Sequence, residues 1–197
     1  AYVDFGAQDG NSYEVFLGRS SKFQFDYRVP MWASKEHAHL YMFEGHPHFR
    51  TSLAALHHAT VYCPAVIGER DGMADFFLDV NSRQLWGSSL LPTHRDVGGG
   101  RSKISVPMID VCRFFASTFK RDDFVIVKMD IEGYEQAVIP ALAECPEAAT
   151  LVDSILLEPH LDPTWGTVLP DGKNKLESGI EKLRSYGVEV WLDHSPM

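Results

Sequence analysis

Carboxylates occupy most of the positions where this chain could do chemistry. Val3-Asp4-Phe5-Gly6-Ala7-Gln8-Asp9-Gly10 places an acid in a short apolar run, with two glycines four apart before a helical pattern. Glycines so placed let the backbone turn tightly and come close to a ligand. Glu44 closes the run from His39, Asp130 closes the apolar run from Asp123 with Glu132 just beyond, and Glu158 closes the run from Asp153 with His160 two positions on. No Lys or Arg stands at any of these run ends. In an open α/β sheet, ligands bind outside the carboxyl ends of the strands, near the point where strand order reverses. An acidic mouth there suits a cationic ligand. A dinucleotide fits poorly: Asp9 would repel its pyrophosphate, the middle glycine of the fingerprint is missing, and Glu44 lies further along than the ~20 positions the fingerprint requires. S-adenosylmethionine fits better, since it has no phosphate, carries an ammonium and a sulfonium, and offers a ribose diol to a carboxylate such as Glu44. The plainer alternative is that Asp4 and Asp9 shape a turn and Glu44 caps His46–Phe49.

Several of these residues have competing roles. Side chains alternate along a strand, so Ile126, Lys128 and Asp130 share one face. A lysine in a buried strand must find an acid, and Asp110 or Glu132 is expected to pair with Lys128. Asp130 is placed to orient the methionine part of the donor or to take the proton of an acceptor hydroxyl. Glu135 is expected to cap the helix that starts near Tyr134. Glu158 and His160 form the other catalytic pair, with His160 a general base titrating near neutral pH or, alternatively, a structural loop residue. No H-E-x-x-H or comparable spacing occurs and His46-Pro47-His48 stands alone, so spacing gives no metal site. Convergence of Asp130, Glu158 and His160 on a divalent ion is the one metal arrangement left open.

The elements that must position these residues alternate strand and helix from end to end, which implies a mostly parallel sheet with helices on both faces. Strands are expected at Ala1–Phe5, His39–Glu44, Val61–Ile67, Ser102–Met108, Asp123–Asp130, Asp153–Glu158 and Val188–Asp193, with an antiparallel edge segment at Ala74–Val80. Helices are expected at Asn11–Arg19, Pro47–His58, Ile109–Phe119, Tyr134–Glu144 and Asn174–Tyr186, and a polar, aromatic stretch runs from Ser20 to Glu36. Asn81–Arg101, rich in Gly, Ser and Pro, reads as a mobile active-site loop or a disordered excursion, with Trp86, Ser88, Ser89 and Gly98-Gly99-Gly100 on the acceptor side. One domain over residues 1–197 is expected. Because the chain opens on Ala1 and directly on a strand, residues are expected upstream.

Eighteen Lys and Arg against 27 Asp and Glu give a net charge of −9, which argues against nucleic acid or an anionic membrane as partner. The three cysteines, Cys63, Cys112 and Cys145, have no metal-type spacing. Their odd number reads as reduced thiols in a cytoplasmic protein, Cys63 and Cys112 as buried apolar fillers.

The chain resembles the FkbM-type S-adenosylmethionine-dependent methyltransferases. The likeness is carried by Val3–Gly10, by Phe43-Glu44-Gly45-His46-Pro47, by Ala65-Val66-Ile67-Gly68 with Asp71-Gly72, by Ser88-Ser89-Leu90 and by Val106-Pro107-Met108-Ile109-Asp110. Its most specific part is Val127-Lys128-Met129-Asp130-Ile131-Glu132-Gly133-Tyr134-Glu135. Gly45 stands where the family usually has proline, and the helices that normally precede the first strand are not in this sequence. The resemblance implies a Rossmann-like class I methyltransferase sandwich and methyl transfer to a hydroxyl of a small molecule such as a sugar or polyketide. Asp4, Gly6, Ala7, Gly10, Glu44 and Asp130 would hold S-adenosylmethionine, and Asp130, Glu158 and His160 would serve the acceptor. The alternatives are a module that keeps the fold and binds the cofactor without catalysis, or a nicotinamide oxidoreductase. Expected partners are a small hydroxyl acceptor and at most a second copy in a homodimer.

Overall fold

The computed structural model describes residues 1–20 and 27–192; residues 21–26 of the polar stretch and Asp193, the expected end of the last strand, lie outside the described residues. In chain order the strands are β1 (Tyr2–Phe5), β2 (Leu40–Phe43), β3 (Ala59–Tyr62), β4 (Val66–Gly68), β5 (Gly72–Phe77), β6 (Lys103–Asp110), β7 (Ile126–Met129), β8 (Ser154–Leu157) and β9 (Glu189–Leu192). The helices are α1 (Asn11–Phe16), α2 (Arg50–Ala54), α3 (Val111–Thr118), α4 (Glu135–Ala143), α5 (Pro146–Ala149) and α6 (Gly172–Ser185).

Six strands form one sheet in the order β3-β2-β1-β7-β8-β9, every neighbouring pair parallel. From β1 the chain builds outward through β2 and β3, then returns to β7 and builds the other way. The order therefore reverses between β1 and β7, and the crevice at the ends of these two strands is where such a sheet binds ligands. Period-2 alternation decides which side chains face which helices. Val3, Phe5, Val127 and Met129 pack against Phe114 and Phe115 of α3, Val138, Ile139 and Leu142 of α4 and Leu176 and Leu183 of α6. On the opposite face Tyr2, Leu40, Met42 and Ile126 meet Val15 and Phe16 of α1 and Leu53 of α2. This is the Rossmann-like α/β architecture expected from the alternation. Among the described residues, no helix is long and apolar enough to cross a membrane.

The expected strand Val61–Ile67 is two strands in two sheets. Pro64 has no N–H to give a ladder, so β3 ends at Tyr62 on the large sheet and β4 starts a three-stranded sheet, β4-β6-β5. In it β5 pairs antiparallel with β6, from Gly72 opposite Met108 to Phe77 opposite Lys103. The helix expected from Ile109 begins instead at Val111, because Asp110 caps it: its carboxylate accepts from the Arg113 amide at 2.7 Å. Helix α1 stops at Phe16 rather than Arg19, and Gly18 follows with φ 73.

The reduced-thiol reading is overturned for two of the three cysteines. Cys112 on α3 and Cys145 at the start of α5 are disulfide-bonded, while Cys63 is free and half-buried. An odd count hides such a pair, because any one of the three could be the unpaired thiol. The bond closes a loop across 33 positions, a span for which a bridge contributes about 2–4 kcal/mol. Reduction, or Cys112→Ser, is expected to lower the urea midpoint accordingly, and Cys63→Ser is expected to leave it in place.

Candidate active site

The first pillar of the site is the junction of β1 with β7. Gly6 has φ 90, and a Cβ there would lie 1.8 Å from the carbonyl oxygen of Asp130. Only glycine lets the two strand ends meet so closely. The next turn carries the chain through Gly10, also at φ 90, into α1.

Beside this junction lies a cavity of about 780 Å³. Its wall carries Asp9, Glu44, Asp130, Glu132 and Glu158, and among the described residues Lys128 is the only Lys or Arg that lines it. Apolar surface comes from Val66, Ile67, Phe76, Leu85 and Trp86. The Lys128 charge is already committed: Nζ donates to Asp130 Oδ2 at 2.9 Å and to the Gly6 carbonyl at 3.0 Å, and lies 3.6 Å from Asp4 Oδ1. The ion pair expected for Lys128 exists, but with Asp130 and Asp4 rather than with Asp110 or Glu132. The cause is register: Asp4 lies directly across from Lys128 in the β1–β7 ladder, while Asp110 is occupied at the start of α3. Burial opposes the lysine's charge, but Asp130 and Asp4 hold its pKa above the ordinary value. Burial would raise Asp130; Lys128, and after it His160, keep Asp130 below the usual carboxylate range. Asp130 is therefore charged at neutral pH, and a weak base.

Asp4 is fully buried and does not line the cavity. It accepts from Ser12 Oγ and from Tyr2 OH and faces Lys128. Burial raises its pKa although Lys128 and Ser12 pull the other way. Its part is to hold Lys128 and α1, beneath the layer a ligand could touch. Gly10 likewise lies off the cavity wall, against Leu53 and Leu56, whereas Gly6, Ala7, Glu44 and Asp130 line it. Glu44 accepts from the Gln8 amide at 2.8 Å and from the His46 amide at 2.6 Å. Each carboxylate oxygen has a further lone pair, so these bonds leave room for a diol. Burial pushes Glu44 up to about 7 against the help of the two amides.

Beyond Asp130 the chain turns through Glu132 at φ 54 and Gly133 at φ 100. A non-glycine residue held in the left-handed region is uncommon, and such residues cluster at functional sites. The turn aims the Glu132 carboxylate at two histidines: Oε2 is 3.0 Å from His94 Nε2 and 3.4 Å from His160 Nε2. His160 also meets Glu135 Oε1 through Nδ1 at 3.1 Å, and its Nε2 is 3.8 Å from Asp130 Oδ1. Glu135 is the first residue of α4 but makes no cap bond to it: its Oε1 accepts from the Ile131 amide in the preceding turn at 2.7 Å, and the same oxygen steadies His160.

The general-base reading of His160 is corrected by this arrangement. The ring is buried behind Asp130 and Glu132 and does not line the cavity. Burial alone would lower its pKa; Glu135, Glu132 and Asp130 overcome that and push it up to about 10. A histidine so held has no free lone pair for a substrate proton at neutral pH. Glu158 lines the cavity.

The Asn81–Arg101 stretch is a folded excursion rather than a disordered one. Asp79, nearly inaccessible, accepts from the amides of Asn81 at 2.8 Å, Ser82 at 2.9 Å and Gly87 at 3.3 Å. Ser89 Oγ donates to the Glu132 carbonyl at 2.8 Å, and Gln8 Nε2 to the Gln84 carbonyl at 3.0 Å. Trp86 and Ser88 reach the cavity wall, Ser89 lies under it, and the three glycines are not part of it. Sequence reading missed His94, which reaches Glu132 from the middle of the excursion, and gave Gln8 and Ser12 no part in holding Glu44 and Asp4.

With this geometry in place, comparison with known proteins is informative. The family model described as the methyltransferase FkbM domain matches residues 4–162. That span runs from β1 past β8 and contains every cavity-lining acid named above. No curated protein and no solved structure gives a significant match. The chain belongs to the FkbM methyltransferase domain family.

Proposed function

We propose that the protein is an S-adenosylmethionine-dependent O-methyltransferase acting on a hydroxyl of a small molecule such as a sugar or polyketide. The observation that carries this reading is the acid-walled cavity at the β1–β7 reversal, whose one lining Lys or Arg among the described residues, Lys128, is already bound to Asp130 and Asp4. The residues fit the donor: a cation is welcome against Asp130, Glu44 offers acceptor capacity to a ribose diol, and Val66, Ile67 and Phe76 supply apolar surface. When bound, S-adenosylmethionine supplies an electrophilic methyl group, and transfer to oxygen forms a C–O bond, breaks a C–S bond and frees one proton.

The chain's own residues position and receive. Lys128 fixes Asp130 at the strand end, so the carboxylate meets a ligand already oriented. Glu132 is more basic than Asp130: burial raises its pKa, His94 and His160 pull against that, and Asp130 adds to the rise. It is better able than Asp130 to take the hydroxyl proton. The excursion bearing Trp86 covers one side and sheds water. We further propose that the reaction is carried by one domain, with a small acceptor as its partner, without nucleic acid or membrane, and compatible with a homodimer. The expected cytoplasmic placement loses its ground with the Cys112–Cys145 bridge, which favours an oxidising compartment.

Calorimetry is the test. S-adenosylmethionine is expected to bind near the micromolar range, about −8 kcal/mol, and NAD not at all. Because Glu44 titrates at about 7, binding that uses its anionic oxygens tightens between pH 6 and pH 8, and this slope disappears in Glu44→Gln. Binding of NAD in place of S-adenosylmethionine overturns the reading, and cofactor binding without methyl transfer to any of a panel of hydroxyl acceptors reduces it to a binding module.

A further inference from the structure

We propose that Asp130, Glu132 and His160 bind one divalent first-row transition-metal ion. One donor atom from each comes within 4.8 Å of the other two, with His160 Nε2 in both of the closest pairs. The closest approaches are 3.4 Å from Nε2 to Glu132 and 3.8 Å to Asp130. Two donors bonded to one ion at about 2.1 Å each stand at most about 4.2 Å apart, so both measured separations fall within reach of a shared ion.

The independent observation is the imidazole. Its side chain is 2% exposed, and Nε2 makes no hydrogen bond among the described residues although it faces two carboxylates. A buried polar nitrogen without a hydrogen bond is costly. The other ring nitrogen is engaged: Nδ1 contacts Glu135 Oε1, and Glu135 is inaccessible to solvent. A carboxylate holding one ring nitrogen, so that an incoming ion can displace the proton of the other and take its lone pair, is the arrangement that supports a metal-ligating histidine. Glu132 is supported in the same way, by His94 at 3.0 Å on the oxygen that would ligate. Lys128 contacts Oδ2 of Asp130 and leaves Oδ1 to the trio. One side stays open, since Asp130 and Glu132 line the cavity.

Donor chemistry narrows the ion. Two carboxylates with one imidazole suit Mn²⁺, Fe²⁺ or Zn²⁺ better than the all-oxygen preference of Mg²⁺ or Ca²⁺. An ion there would lower the pKa of a hydroxyl bound from the open side. That role rests on the methyltransferase reading, whereas binding of the ion does not.

The test is titration of the full chain with Mn²⁺, free ion read by electron paramagnetic resonance, with neither cofactor nor acceptor present. One ion per chain is expected. Binding should weaken at least about tenfold in Glu132→Gln, which removes a ligand, and by a similar factor in Glu135→Gln, which removes the support of the histidine. Glu177→Gln, on the exposed face of α6 and away from the cavity, should bind as the parent does. Absence of saturable binding up to about 1 mM, the weak end of specific affinity, overturns the site. So does unchanged affinity in folded Glu132→Gln, which would place the ion elsewhere on the acidic surface. Neither failure touches the calorimetric test for S-adenosylmethionine, so the two ideas fail separately.

Discussion

Lys128→Met is expected to destabilise the fold by about 3–5 kcal/mol, the cost of removing one partner from a buried ion pair. Methionine matches the length of the aliphatic stem, so packing changes little and the loss is electrostatic. It falls on Asp4, which is fully buried, and whose Oδ1 has no hydrogen-bond partner among the described residues and only Lys128 close by. The deficit should depend on pH in a defined direction. Burial raises the Asp4 pKa in the folded state, so a neutral Asp4 adds stability that is present below its unfolded pKa and lost as pH rises through the folded one. Without Lys128 that loss grows, and the gap to the parent widens from pH 5 to pH 8. Urea denaturation at both pH values measures it, and adding Asp4→Asn to the variant is expected to restore a good part of the loss. A deficit below about 1 kcal/mol, typical of a solvated surface pair, would show that Lys128 does not serve as the counter-ion.

Asp130→Asn should act on function instead. The amide keeps the shape and still accepts from Lys128, which retains Asp4 as a counter-ion, so the melting temperature is expected to fall by less than in Lys128→Met. What disappears is a charge at the mouth of the cavity, and losing one member of a desolvated charge contact costs about 2 kcal/mol or more. The kcat/KM for the cofactor is expected to fall about 30-fold or further. A loss confined to KM for the cofactor would assign Asp130 to holding the donor, and a loss in kcat would assign it to the transfer itself. Near-normal kcat/KM with intact folding removes it from the site.

Strand-end acids were legible because β1, β7 and β8 are short apolar runs closed or followed by a carboxylate, and a parallel sheet gathers such ends on one edge. Asp4 shows the limit of that reading. Its position beside the glycine turn marks it as important, but whether a carboxylate faces a ligand or supports a lysine depends on the register between strands far apart in sequence. Lys128 is the same case: the need for a partner could be read, the partner could not. Pro64 carried a readable signal, a residue unable to donate inside an apparent strand. The Cys112–Cys145 bridge and the reach of His94 to Glu132 depend on packing of elements with no local pattern to announce it. His160 was found by its place after a strand end, but its role changed because three carboxylates from one turn and one helix surround it.

The pairing of β1 with β7 also governs when the site can come into being. Tyr2 aligns with Ile126 and Asp4 with Lys128, so the first strand waits for residues made much later. During synthesis the first half of the sheet can assemble from β1, β2 and β3, yet it offers a ligand no floor and leaves Asp4 without its cation. A ligand of the cavity therefore cannot act as a template for the early chain. It can only reward a fold that has already closed its longest loop, which makes that closure a slow and non-local step in forming a competent protein.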